Sequence, residues 1–108
     1  MARAEARDRA REHVDAASRA FVTHDYLGCV NAFRRAYDIA PMPQIRFNLG
    51  LCLERLARYR EAAQEYLASA ESSELTAKER ARARSKLRSL QKRMGVARIA
   101  AVDGFGSV

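Results

Sequence analysis

The sequence predicts an all-α protein made of two helical hairpins and a fifth covering helix. Apolar residues recur at helical spacing through most of the chain, which indicates amphipathic helices. A similar residue pattern occurs twice at a constant offset of 33 residues, which is typical of a stacked helical array. Both prolines, Pro41 and Pro43, lie between the two copies, where they separate one hairpin from the next.

The first hairpin is predicted from two helices joined by a short turn. The first helix covers about residues 4–22, and His24 and Asp25 form the turn. Asp25 is a suitable N-cap because a short carboxylate can accept a hydrogen bond from the first turn of a helix. The second helix continues to about Ala40 and ends before Pro41.

The second hairpin lies within residues 43–70. Its two apolar stripes are separated by only a few residues around Ala57 and Arg58, so its helices must be antiparallel. Gly50 lies in the middle of the first of these helices, where glycine costs about 1 kcal/mol relative to alanine. We therefore expect another helix backbone to approach closely at Gly50.

A fifth helix is predicted from Thr76, which forms a capping box with Glu79. It carries one narrow apolar stripe and basic residues almost everywhere else, as expected of a terminal helix that covers the open end of a stack. Gly95 is expected to end it. The helical domain therefore covers residues 1–94, and the tail 95–108 is interpreted as the start of a following domain or as a disordered terminus.

The stretch FNLGLCLERLARYREAAQEYLASA, residues 47–70, resembles the tetratricopeptide repeat (TPR). It has an Asn-Leu-Gly run in the first helix and a tyrosine at the start of the second, followed by small, aromatic and small residues in order. The upstream copy has Ala16 and Ala17 where the repeat has Leu-Gly. The resemblance implies a right-handed α-α superhelix that binds a peptide or protein segment in a concave groove, without catalysis.

In this family the first helix of each repeat lines the groove. The resemblance and the basic fifth helix together suggest ten groove residues: Val14, Ser18, Phe21, Phe47, Leu51, Glu54, Arg55, Arg80, Arg84 and Arg88. Phe47 and Leu51 point away from the apolar stripe of their own helix, so they are either exposed anchors or packed on a neighbouring helix. The family's carboxylate clamp for chaperone tails is not expected, because most of its positions carry alanine, valine or serine here.

The formal net charge of +7 comes entirely from one segment. Residues 76–94 hold eight basic residues and one acidic residue, whereas residues 1–75 hold equal numbers of both. Nucleic-acid or anionic-surface binding through 76–94 is therefore the alternative function. It is the less favoured one, because no aromatic residue is interleaved to stack on bases and the spacing scatters the charges around the helix.

Catalysis, cofactor binding and metal binding are not expected. His13 and His24 belong to no metal-binding or nucleophile motif, and the chain has no glycine-rich phosphate loop. Cys29 and Cys52 lie on apolar helical faces and are expected to be buried thiols. A disulfide between them would require their backbones to approach within about 7 Å, which their spacing does not reveal.

The expected partner is a protein or peptide segment of acidic or amphipathic character. Repeat arrays generally need three or more units, and this chain has two and a cover, so a homodimer is also expected. The chain has no apolar run long enough for a transmembrane helix, and its first residues lack the apolar centre of a signal peptide. These features slightly favour the cytoplasm and leave the periplasm open for a chain whose leader has been removed.

Overall fold

Five α-helices make up most of residues 2–95, which is the part of the chain that this computed structural model describes. The helices are α1 (Ala2–Val22), α2 (Tyr26–Ile39), α3 (Pro43–Arg55), α4 (Tyr59–Ala70) and α5 (Ala77–Met94). No strand occurs within residues 2–95, so the prediction of an all-α fold is confirmed there. The expectation for the tail concerns residues that lie, from 96 onwards, outside the described part.

Each helix packs mainly on the helices that precede and follow it in the chain. One hydrophobic core runs through all five helices, from Ala10 in α1 to Leu90 in α5. The connections contain only three to six residues, so consecutive helices are antiparallel. As a result, α1, α3 and α5 begin at the same end of the array.

The predicted caps are present. The Asp25 carboxylate accepts a hydrogen bond from the backbone N–H of Gly28 at 3.0 Å, which begins α2. Thr76 and Glu79 form a reciprocal capping box at the start of α5, with distances of 2.8 and 3.0 Å. Gly95 follows α5 with a φ of +90°, a conformation that glycine adopts without steric cost.

The two hairpin turns have the same backbone geometry. His24 and Ala57, which are 33 residues apart, both have positive φ values, of 66° and 60°. In the first turn the N–H of Asp25 donates to the carbonyl of Ala20, and in the second the N–H of Arg58 donates to the carbonyl of Leu53. The repeat seen in the sequence is therefore reproduced in the turns.

Gly50 makes the close contact that its position suggested, but with a different partner. A Cβ atom at Gly50 would lie 2.7 Å from Cε1 of Tyr66, well inside van der Waals contact. The neighbour is the aromatic ring of Tyr66 on α4, not a helix backbone as the sequence led us to expect. Glycine is required here because the ring lies directly on α3.

Cys29 and Cys52 form a disulfide, so the expectation of two buried thiols was wrong. Their Cα atoms are 6.1 Å apart, within the range that a disulfide spans. Cys29 lies on α2 and Cys52 on α3, and both are fully buried. The bond therefore joins the first hairpin to the second.

Candidate binding groove

Three neighbouring depressions lie along one face of α3. Gln44 lines the first and second depressions, and Asn48 lines the second and third. These two residues share a face because they are four positions apart in a helix. The depressions therefore form one continuous surface, here called the groove, with α1 on one side and α5 on the other.

The groove changes character along its length. Its first part, the polar end, has a volume of about 640 Å³ and is bordered by Arg3, Arg7 and Glu74 among other residues. The central part measures about 190 Å³ and the last part, the apolar end, about 260 Å³. The described residues that line the apolar end include none that is charged: they are Ser18, Phe21, Val22, Phe33, Asn48 and Leu51.

Phe47 lies in the central part but is largely covered. It is only 9% exposed, because its ring packs on Tyr66 of α4 with the ring centroids 5.5 Å apart. The guanidinium carbon of Arg82 lies 4.8 Å above the Phe47 ring centroid. Of the two roles left open by the sequence, the structure favours packing on a neighbouring helix, and little of the Phe47 surface is exposed to the groove.

Arg55 lies at the other end of α3, next to the apolar end. Its guanidinium carbon is 5.3 Å from the ring centroid of Phe21 and 5.8 Å from that of Tyr26. One of its N–H groups also donates to the Tyr26 hydroxyl at 3.5 Å. Two aromatic rings from the first hairpin thus hold this guanidinium beside the groove, where a cation–π contact contributes about 0.5–1 kcal/mol at an exposed site.

Glu54 is used inside the protein. It accepts a hydrogen bond of 2.7 Å from the Tyr66 hydroxyl and forms an ion pair of 3.2 Å with Lys86. Burial, and then the hydrogen bond to Glu54, raise the pKa of Tyr66 well above its usual value. Glu54 therefore ties α3 to α4 and α5, and its charge is already compensated.

The three α5 arginines proposed for the groove lie elsewhere. Arg80 donates to the carbonyl oxygens of Ser72 and Leu75, and Arg84 donates to the carbonyl of Ala70 at 3.4 Å. These contacts close the connection between α4 and α5. Arg88 is exposed, lines none of the three depressions and makes no hydrogen bond or ion pair within residues 2–95.

Four of the ten residues predicted for a binding groove lie along this one. Ser18, Phe21, Phe47 and Leu51 all line it, whereas Val14 is partly buried against the core. Sequence reasoning missed Arg82, on the opposite flank of α5, and it missed Gln44 and Asn48, which connect the depressions. The apolar stripe of α5 identifies its buried face, but the two flanks of that face look alike in the sequence.

Four arginines beside the groove have no ion-pair partner in the described part of the chain. They are Arg3, Arg7, Arg55 and Arg82. The ion pairs within residues 2–95 involve other cations, namely Arg34, Arg46, Arg58 and Lys86. Two acidic residues line the groove: Glu79 is engaged in the capping box, and Glu74 lies at the polar end with Arg3 and Arg7 and forms no ion pair within residues 2–95. The groove therefore offers apolar surface together with uncompensated positive charge.

No protein-family model, curated protein or solved structure matches this sequence. Within residues 2–95, no group of three or more potential metal ligands is present. None of the five described helices has the combination of length and apolar character needed to span a bilayer. The shape, burial and charge of the groove are therefore the features that bear on function.

Proposed function

We propose that this chain is a non-catalytic protein–protein interaction module that binds a peptide or protein segment in the groove. The observation that carries the proposal is the continuous surface along α3, which joins apolar side chains to arginines without carboxylate partners. Apolar residues buried by a ligand would supply most of the affinity. The arginines would steer and orient an acidic or amphipathic segment.

The proposal includes a TPR-like arrangement, with the two hairpins and α5 as successive layers of a right-handed superhelix. Three features support it: the hairpin turns that repeat after 33 residues, the Gly50–Tyr66 contact, and the packing of each helix on its neighbours in the chain. In such an array the first helices of successive hairpins form one side together. That side contains α1, α3 and α5, the helices that border the groove.

The compartment that we propose is an oxidising one. Disulfides persist in secreted and periplasmic proteins and are rare in the cytosol, and Cys29 and Cys52 are joined. This changes the slight preference for the cytoplasm that the sequence suggested. Quantifying free thiols in the unfolded chain, isolated under alkylating conditions, would test it; two free thiols per chain would contradict the proposal.

Nucleic-acid binding through α5 is the alternative. Lys78, Arg88 and Lys92 are exposed and available for phosphate contacts. Several other basic side chains are engaged within the protein: Arg80 and Arg84 donate to backbone carbonyls, and Lys86 pairs with Glu54. These contacts leave a scattered rather than a continuous cationic face, which favours the groove over the helix surface as the binding site.

A peptide-display selection tests the function and identifies a ligand in the same experiment. We expect the wild-type chain to select peptides that no longer bind to Leu51→Asp, which places a charge at the apolar end. Gln64→Asp is the matched control, because Gln64 is exposed on α4 and lies outside the groove. Ser18→Trp provides a second variant that fills the apolar end from an exposed position, in case Leu51→Asp disturbs folding.

Two outcomes would contradict the proposed function. One is a selection that yields no peptide above background. The other is peptide binding that survives both Leu51→Asp and Ser18→Trp, with circular dichroism showing folded variants. Binding of random duplex DNA at physiological salt, lost steeply as salt rises, would instead support the basic helix as the site.

A further inference from the structure

Two arginines of the groove are held over aromatic rings and pair with no carboxylate of residues 2–95. Arg82 of α5 lies over Phe47, with 4.8 Å between its guanidinium carbon and the ring centroid. Arg55 of α3 lies against Phe21 at 5.3 Å. Both residues are exposed. Arg82 lines the central part of the groove, and Arg55 lies beside the groove, against Phe21, which lines the apolar end.

Stacking on a ring prepares a guanidinium to bind a carboxylate. The flat face of the group contacts the ring, while its N–H donors point outwards in the plane and match the two oxygens of a carboxylate. Arg55 uses one of these donors on the Tyr26 hydroxyl. Because the rings already restrict both side chains, less conformational entropy is lost when a ligand binds.

The two guanidiniums bracket the apolar part of the groove. Arg82 lies at the level of Phe47, which is eight positions before Arg55 on α3. At the α-helical rise of 1.5 Å per residue this separation is about 12 Å along the helix. Leu51 lies between them, at the apolar end.

We propose that the groove selects a protein segment in which two carboxylate side chains, separated by about 12 Å along the direction of α3, flank an apolar side chain. This inference rests on the proposed function and specifies the chemistry of its ligand. The carboxylates bind Arg55 and Arg82, and the apolar side chain enters the apolar end beside Leu51. In a helical ligand the two acidic residues are about eight positions apart, and in an extended ligand about four.

The other cations near the groove are less suited than Arg55 and Arg82 to bind a ligand carboxylate. Lys86 already pairs with Glu54 at 3.2 Å, so it offers a ligand little uncompensated charge. Arg80 and Arg84 are turned towards the carbonyls that end α4. Arg3 and Arg7 border the polar end with Glu74, and neither contacts an aromatic ring of residues 2–95. Among the arginines of residues 2–95, Arg55 and Arg82 are the two that combine a ring contact with a place beside the apolar part of the groove.

The peptides selected by the wild-type chain give the first test. We expect them to be enriched in acidic pairs at one of the two spacings, with a leucine, isoleucine, methionine or phenylalanine between. Selected peptides that require Leu51 but show no such pair would overturn this inference and leave the proposed function intact. A selection without any specific peptide would overturn both.

The second test measures the affinity of the strongest selected peptide by fluorescence anisotropy. We expect Arg55→Glu and Arg82→Glu each to weaken binding about tenfold or more, since a hydrogen-bonded charge contact is replaced by repulsion. Arg88→Glu makes the same change in net charge at an exposed site outside the groove and should leave affinity unchanged. Replacing one acidic residue of the peptide by lysine should partly restore binding to either Arg55→Glu or Arg82→Glu, whichever changes the side chain that faces that position of the peptide.

Three results would contradict the assignment. Equal weakening by Arg55→Glu, Arg82→Glu and Arg88→Glu would indicate general attraction to a basic protein. Displacement of the peptide by a single-stranded oligonucleotide, but not by a peptide with scrambled acidic positions, would identify a nucleic-acid occupant. Sedimentation showing a dimer that dissociates in Leu51→Asp would identify a second copy of the chain as the occupant.

Discussion

The two hairpins share one turn geometry and differ in how their helices contact each other. In the second hairpin Gly50 lies under the ring of Tyr66, whose hydroxyl donates to Glu54. At the corresponding positions, 33 residues earlier, the first hairpin has Ala17 and Phe33. Phe33 has no hydroxyl, and its side chain lines the apolar end of the groove.

The difference follows from the place of each hairpin in the array. The α3–α4 hairpin is covered on both sides, by α2 and by α5, whereas α1 packs mainly on α2. A hydroxyl buried between helices needs a hydrogen-bond partner, and Glu54 with Lys86 provides one in the covered hairpin. The turns are thus set by the repeat, while the interhelical contacts are set by what lies on either side.

Gly50→Leu should be the most destabilising substitution, because it disrupts the contact between Gly50 and Tyr66 that distinguishes the second hairpin. The new side chain would enter the space of the Tyr66 ring, and overpacking of this kind costs about 1–3 kcal/mol or more. We expect a loss of about 3 kcal/mol in the free energy of unfolding, measured by urea denaturation. Gln64→Leu, on the exposed surface of α4, is the control. A wild-type free energy of unfolding for Gly50→Leu would show that the ring is not held against α3.

Removal of the disulfide tests the connection between the hairpins. Cys29 and Cys52 are 23 residues apart, and closing a loop of that size stabilises a fold by about 3 kcal/mol in the chain-entropy model. The variant with Cys29→Ala and Cys52→Ala should unfold at a correspondingly lower urea concentration. The wild-type protein in reductant should resemble it, and equal stability with and without reductant would contradict the link.

The disulfide and the contact between Gly50 and Tyr66 show which features could not be predicted from the sequence. The caps at Asp25 and Thr76 were predicted because each depends on residues only three positions apart. The disulfide depends on the distance between α2 and α3, about which a spacing of 23 residues says nothing. Gly50 indicated a close neighbour, but the identity of that neighbour is a property of the packed hairpin.

The groove residues also fall into those that could be predicted from the sequence and those that could not. Ser18, Phe21 and Leu51 were placed in it through the resemblance of the helices to a repeat. Arg82 was missed in favour of Arg80, which lies about 200° away around α5. Both residues flank the buried stripe, and only the direction in which α5 packs on α4 decides which of them reaches α3.

Tyr66→Phe makes the second hairpin resemble the first and should have a moderate effect. It removes the hydrogen bond to Glu54, and the loss of one such bond to a charged group costs about 1.5 kcal/mol. Urea denaturation should show this decrease in the free energy of unfolding. In a double-mutant cycle with Glu54→Gln the two effects should not add; full additivity would mean that the two side chains do not interact.

Ala57→Gly should have the smallest effect, and it should stabilise the fold whereas the other substitutions destabilise it. Ala57 has a φ of 60°, a conformation that costs a non-glycine residue about 1–2 kcal/mol. After the larger conformational entropy that glycine loses on folding is subtracted, we expect the free energy of unfolding to rise by about 0.5–1 kcal/mol. Ala81→Gly, at an exposed helical position, should instead lose about 1 kcal/mol. A loss in both variants would contradict the positive φ at Ala57.

The packing of each helix on its neighbours in the chain has a consequence for the speed of folding. Nearly all interhelical contacts join segments that are close in sequence, so little loop-closure entropy opposes their formation. Proteins with such local topology fold in microseconds to milliseconds. Contacts between neighbouring helices can therefore form early, before the whole array is complete. The bond between Cys29 and Cys52 needs α2 and α3 to lie side by side, so we expect it to form only after these two helices have packed together.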